Sequence, residues 1–83
     1  MKELNAYVKR RNDWRAIFDD KPLSLKSPFD RQIIAGNLDS DLSPENLSCD
    51  GELAGNQVRA RYRLLSKAVA QLKKLDPSVK IYA

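Results

Sequence analysis

Cys49 is the one thiol of this chain, and histidine is absent from all 83 residues. A thiol becomes a nucleophile or a metal ligand when a neighbour lowers its pKa or shares the metal, and imidazole is the commonest such neighbour. No Ser-His or Cys-His pair, no zinc-hydrolase helix motif and no imidazole acid–base step can be assembled from these residues. Gly36, Gly51 and Gly55 form neither a phosphate-cradling loop nor a dinucleotide fingerprint. A lone cysteine of this kind reads as a packed, inert thiol. The residue types therefore point away from an enzyme and away from a cofactor.

Five carboxylates, Asp39, Asp41, Glu45, Asp50 and Glu52, invite a calcium reading. With Asp39 as first ligand, Asp41 and Ser43 take the third and fifth places. Pro44 then falls where a glycine must turn the loop, and Asp50 stands where a bidentate Glu belongs. Capping and turn formation explain the same residues with less strain, so no metal is expected.

Cationic chemistry is what remains. Lys9, Arg10, Arg11 and Arg15 cluster near the start, and Arg59, Arg63, Lys67 and Lys74 run along a later segment that also holds Arg61 and Lys73. Tyr7, Trp14 and Tyr62 lie close to these bases in sequence. Together they carry enough charge to contact several phosphates. The competing reading is that a small helical protein solvates its outer faces with Lys and Arg while its aromatics fill the core. Charge order favours that second view. Residues 1–38 carry a net +3, residues 39–55 a net −5 and residues 56–83 a net +6, and the acidic middle would repel a phosphate backbone. Nucleic-acid binding therefore stands as the alternative to a protein partner.

The elements that must position these side chains are helices. From Asn56 to Leu75, Val58, Tyr62, Leu65, Ala68, Val69, Leu72 and Leu75 recur at three- and four-residue steps, the spacing of one helical face. Arg59, Arg63, Lys67 and Lys74 follow another face. A first helix is expected over Lys2–Phe18, with Leu4, Tyr7, Val8, Trp14, Ile17 and Phe18 on one side and Arg11 interrupting the stripe; Trp14 is expected to be largely buried. It should end before Lys21-Pro22, because a residue preceding proline is steered out of the helical region. Ser27-Pro28-Phe29-Asp30 announces a short second helix, with Ser27 as cap, Pro28 in the first turn and Asp30 in the place of a capping-box acid. Phe29, Ile33 and Ile34 would be its buried side, and Gly36-Asn37 its stop. Residues 37–55 read as an ordered acidic loop pinned by Leu42 and Leu47. After Asp76-Pro77, residues 76–83 read as an extended tail, lying across the helices or pairing as an edge strand in a dimer.

The expected protein is thus one all-α domain over residues 1–83: a helical hairpin of two long amphipathic helices packed antiparallel, with a short middle helix and an ordered acidic loop. A chain this short buries only about 60–65% of its unfolded surface. Without a disulfide or metal, association with a partner or with itself is the remaining way to thicken its core, and a homodimer is expected. Trp14, Phe18, Val58, Tyr62, Leu65, Val69 and Leu72 are the candidate core or partner face. The first residues lack the apolar run of a secretory signal, and no window approaches a membrane span. A cytoplasmic protein follows, with no membrane partner, acting through protein–protein contacts of its helices.

Overall fold

The computed structural model describes residues 1–43, 46 and 55–82, and among them every regular element is α-helical: α1 Lys2–Ile17, α2 Pro28–Asp41 and α3 Gly55–Leu75. No described helix is long and apolar enough to cross a membrane. Most of the acidic segment, including Glu45, Leu47, Cys49, Asp50 and Glu52, lies outside the described residues, and the expectation of an ordered acidic loop falls there with it.

α1 ends where expected but for a different reason. Asp19 adopts a left-handed backbone (φ 58°). Its amide reaches the Ala16 carbonyl at 3.2 Å, and the Asp20 amide reaches Arg15 at 2.9 Å. This is the paired closure of a Schellman motif, in which an aspartate stands where glycine is usual. Pro22 plays no part in it. At the other end Met1 offers no side-chain cap. Instead Gln71 of α3 accepts the Leu4 amide at 2.9 Å and donates to the Glu3 carboxylate at 2.7 Å. One orphan first-turn donor of α1 is thereby satisfied from another helix.

In α2, Ser27 caps as expected, its hydroxyl accepting the Asp30 amide at 3.4 Å. The reciprocal half of the capping box is absent, because the Asp30 carboxylate accepts from the Ser24 amide at 3.0 Å. The expected stop at Gly36-Asn37 does not occur. The helix continues to Asp41 and carries Leu38 into complete burial beside Ile34 and Ala35. A helical glycine costs only about 1 kcal/mol, less than burying a leucine returns. Phe29 is a second correction: it is 75% exposed, and Ile34 and Leu38 take the core face instead.

The core joins Leu4, Tyr7 and Val8 of α1, Ile34, Ala35 and Leu38 of α2, and Leu65, Ala68, Val69 and Leu72 of α3. Leu23 and Val79 enter it from outside the helices. Leu23 is held by Asn12, whose side chain accepts the Leu23 amide at 2.6 Å and donates to its carbonyl at 2.9 Å. Arg15 donates to the Lys21 carbonyl and Arg31 to that of Leu25, so the connection between α1 and α2 is fastened at three points.

The tail lies along α2. Gln32 brackets Lys80, accepting its amide at 3.1 Å and donating to its carbonyl at 3.3 Å, while the Asp39 carboxylate accepts the Tyr82 amide. Arg31 and Asp76 form an ion pair at 3.4 Å. Accessible surface totals 5990 Å², against about 5,000 Å² for a compact monomer of this mass. The core is thin, as its length implies.

Candidate functional site

Trp14 was expected in the core and is 59% exposed. The buried side of α1 runs from Leu4 and Val8 into Asn12 and Arg15, which face the 18–27 connection through their hydrogen bonds. Trp14 lies about a quarter-turn away from that line. Ile17 and Phe18 are also exposed, as is Tyr62 on α3, whereas Leu65, Val69 and Leu72 are buried and Val58 is half-buried. The candidate apolar face therefore divides: its α3 C-terminal part is core, and Trp14, Phe18 and Tyr62 are surface.

The exposed part is concentrated where the core ends. Over the C-terminal half of α3 one helical face packs on α1 and α2; over its N-terminal half the continuation of that face presents Val58, Arg61 and Tyr62, with Leu64 alongside at 40% exposure. Arg61 meets α1 there. It lines a cleft of about 280 Å³ together with Arg10, Arg11, Trp14 and Leu64, and Tyr7 and Asp41 also line it. The Tyr7 hydroxyl donates to Asp41 at 2.5 Å, and the Arg11 guanidinium stands 5.9 Å from the centre of the Tyr7 ring. Burial, then the hydrogen bond to Asp41 and its charge, push the Tyr7 hydroxyl well above the usual phenol range. It stays protonated and remains a donor. Asp41 is thereby fixed as an acceptor at the join of three helices.

The candidate basic side chains lie on more than one face. Arg10 and Arg11 converge on Arg61, while Arg59, Arg63 and Lys67 flank Val58 and Tyr62 along a shallower depression of about 630 Å³ on another face of α3. Lys9 is exposed on α1, Lys74 lies near the C-terminal end of α3 beside Met1 and Leu75, and Arg15 is committed to the Lys21 carbonyl. Arg61 is the residue that the candidate basic stripe left out. Two positions from both Arg59 and Arg63, it projects roughly opposite them, and its helical spacing to the buried Leu65, Ala68 and Leu72 is the signal that flags it.

Of the five candidate carboxylates, Asp39 and Asp41 lie among the described residues, and both make structural bonds. Asp39 and Asp41, which a calcium loop would use as neighbouring ligands, sit two residues apart on α2 and serve Tyr82 and Tyr7 on different sides. Among the described residues no three of Asp, Glu or Cys come together as a metal site would need. What the cleft and its surroundings can do is bind: arginine forks for anionic groups beside exposed aromatic and aliphatic surface. No protein-family model, no curated protein and no solved structure matches this chain.

Proposed function

We propose that this chain is a small, non-enzymatic interaction protein of the cytoplasm that docks on an acidic protein partner through the end where α1 and α3 outrun the core. One observation carries the reading: Trp14, Ile17, Phe18 and Leu64 are exposed at the end of the molecule where Arg10, Arg11 and Arg61 line one cleft. Aromatic residues and arginine are the types that dominate binding energy at protein interfaces. The two long helices run antiparallel in this reading, since Leu4 bonds to Gln71 and Trp14 shares a cleft with Arg61. A second copy on the same face would set Arg10, Arg11 and Arg61 against their own images across a twofold axis. Self-association therefore needs another face, and sedimentation equilibrium would detect it.

The test is affinity capture from nuclease-treated lysate of the native cell, with wild type compared with Trp14→Ala and Arg61→Glu. A partner retained by wild type and lost by both variants, each still helical by circular dichroism, supports the reading. Equal capture by all three overturns it. Nucleic-acid binding remains the second reading, because Trp14 and Tyr62 stand beside arginines, where bases could stack. It predicts that the captured material disappears with nuclease.

A further inference from the structure

Resting on that docking surface, we infer that the Trp14–Arg61 cleft is an anchor site for one apolar side chain of an acidic peptide segment, with the flanking carboxylates of that segment taken by Arg10, Arg11 and Arg61. The cleft holds about 280 Å³, below the ~300–1,000 Å³ of small-molecule pockets and on the scale of one or two side chains. Its lining is mixed: Trp14 on the α1 side and Leu64 on the α3 side offer apolar surface between the charged groups. Three guanidiniums line it against one carboxylate, Asp41, and that carboxylate is already engaged by the Tyr7 hydroxyl.

Charge complementarity selects the occupant. A net positive lining interleaved with apolar side chains attracts a chain that alternates carboxylates with an aliphatic or aromatic anchor. A nucleic-acid strand fits it less well. The remaining bases, Arg59, Arg63 and Lys67, line a separate depression on another face of α3. Among the described residues no continuous track for a phosphate backbone leads away from the cleft. A second copy docked cleft to cleft is disfavoured by like charges.

Trp14 is the only tryptophan, so its fluorescence reports on the cleft directly. The probe is a blocked peptide of alternating Glu and Leu residues, compared with the same peptide carrying Lys for Glu and with a single-stranded oligothymidylate. The inference expects a saturable blue shift with the glutamate peptide, as its anchor displaces water from the indole, and none with the lysine peptide. The shift should be screened by added salt. Arg61→Glu and Arg10→Glu should each weaken binding by about tenfold or more, whereas Arg59→Glu, on the other face, should leave it within about twofold. Thermal melts of the three variants establish that each is folded; were Arg61→Glu unfolded, Arg10→Glu against Arg59→Glu still decides.

Absence of a shift with the glutamate peptide up to millimolar concentration would overturn the inference. So would an equal shift with the lysine peptide, or a shift with the oligonucleotide alone. The docking surface itself survives such a result if capture from lysate still depends on Trp14 and Arg61. If that capture is also insensitive to both residues, the docking surface fails as well.

Discussion

Where α1 begins and α3 ends, Leu4 and Leu72 are fully buried, Gln71 serves the first turn of α1, and Arg31 reaches Asp76, with Met1 and Leu75 left exposed at the margin. Where α1 ends and α3 begins, the same two helices leave Trp14, Ile17, Tyr62 and Leu64 in solvent among arginines. Both regions are built from amphipathic helix of similar composition, so composition does not set their fates. What differs, among the described residues, is how fully the apolar face is covered. Leu38 of α2 and Val79 of the tail join Leu4 and Leu72 in the core. Toward the other end α2 reaches only as far as Asp41 and Leu42, the connection after α1 is held by Asn12 and Arg15, and Trp14, Ile17, Tyr62 and Leu64 stay exposed.

This contrast is most sharply tested by truncating one large side chain in each region. Leu72→Ala should cost about 3–5 kcal/mol, since a completely buried leucine leaves a cavity in a thin core. Trp14→Ala, though it removes a larger side chain, should change stability by less than about 1 kcal/mol because its indole is already largely hydrated. Urea denaturation followed by circular dichroism measures both. A Trp14→Ala variant as destabilised as Leu72→Ala would erase the distinction between the two regions.

The boundary between them rests on Asn12. Asn12→Ala should cost about 1–3 kcal/mol, because it removes both bonds that hold the buried Leu23 backbone. Hydrogen exchange at the Leu23 amide should accelerate in step with that loss. A change confined to the open region comes next: Asp19→Gly should raise the denaturation midpoint by about 0.5–1 kcal/mol equivalent, since glycine takes the left-handed C′ conformation without the Cβ penalty. No gain would mean that the Asp19 side chain offsets the strain.

The smallest effect is one of pH and belongs to the covered region. Hydrogen bonds from the Ser78 hydroxyl and amide, with the Arg31 guanidinium beside them, hold the Asp76 carboxyl below its ordinary range. Its folded pKa lies under its unfolded value, so this stabilisation is present above the unfolded pKa and is lost as pH falls through the folded one. Acid titration of the thermal midpoint should therefore fall less steeply below about pH 4 in Ser78→Ala than in wild type. An unchanged slope would remove Asp76 from the acid response.

The extent of α3 and the start of α2 were legible in the sequence because they depend on local signals: the stripe through Leu65, Val69 and Leu72, the Ser27-Pro28 start, and the break at Asp76-Pro77. The assignment of Trp14 to the core was not, because the periodicity of α1 places Trp14 and Asn12 near opposite margins of one broad stripe. Only the bonds from Asn12 to Leu23 decide which margin turns inward. Gly36 misled for a similar reason. Its local preference to stop a helix is small, and burial of Leu38, two residues on, depends on partners far away in the chain. The cleft was half visible: Arg10, Arg11 and Trp14 were candidates, and helical spacing from Leu65, Ala68 and Leu72 puts Arg61 on the core side of α3, but its meeting with α1 is a contact between helices that spacing within one helix does not give.

The bond between the Leu4 amide and the Gln71 side chain also bears on how the chain is made. It spans 67 residues, and at about 5–20 residues per second of synthesis Gln71 follows Leu4 by roughly 3–13 s. During that interval the apolar stripe of α1 has no α3 to cover it. The first helix must wait, marginal on its own in water, so assembly of the native core is deferred until α3 has been made, and a nascent chain paused before α3 is the form of this protein most exposed to misassociation.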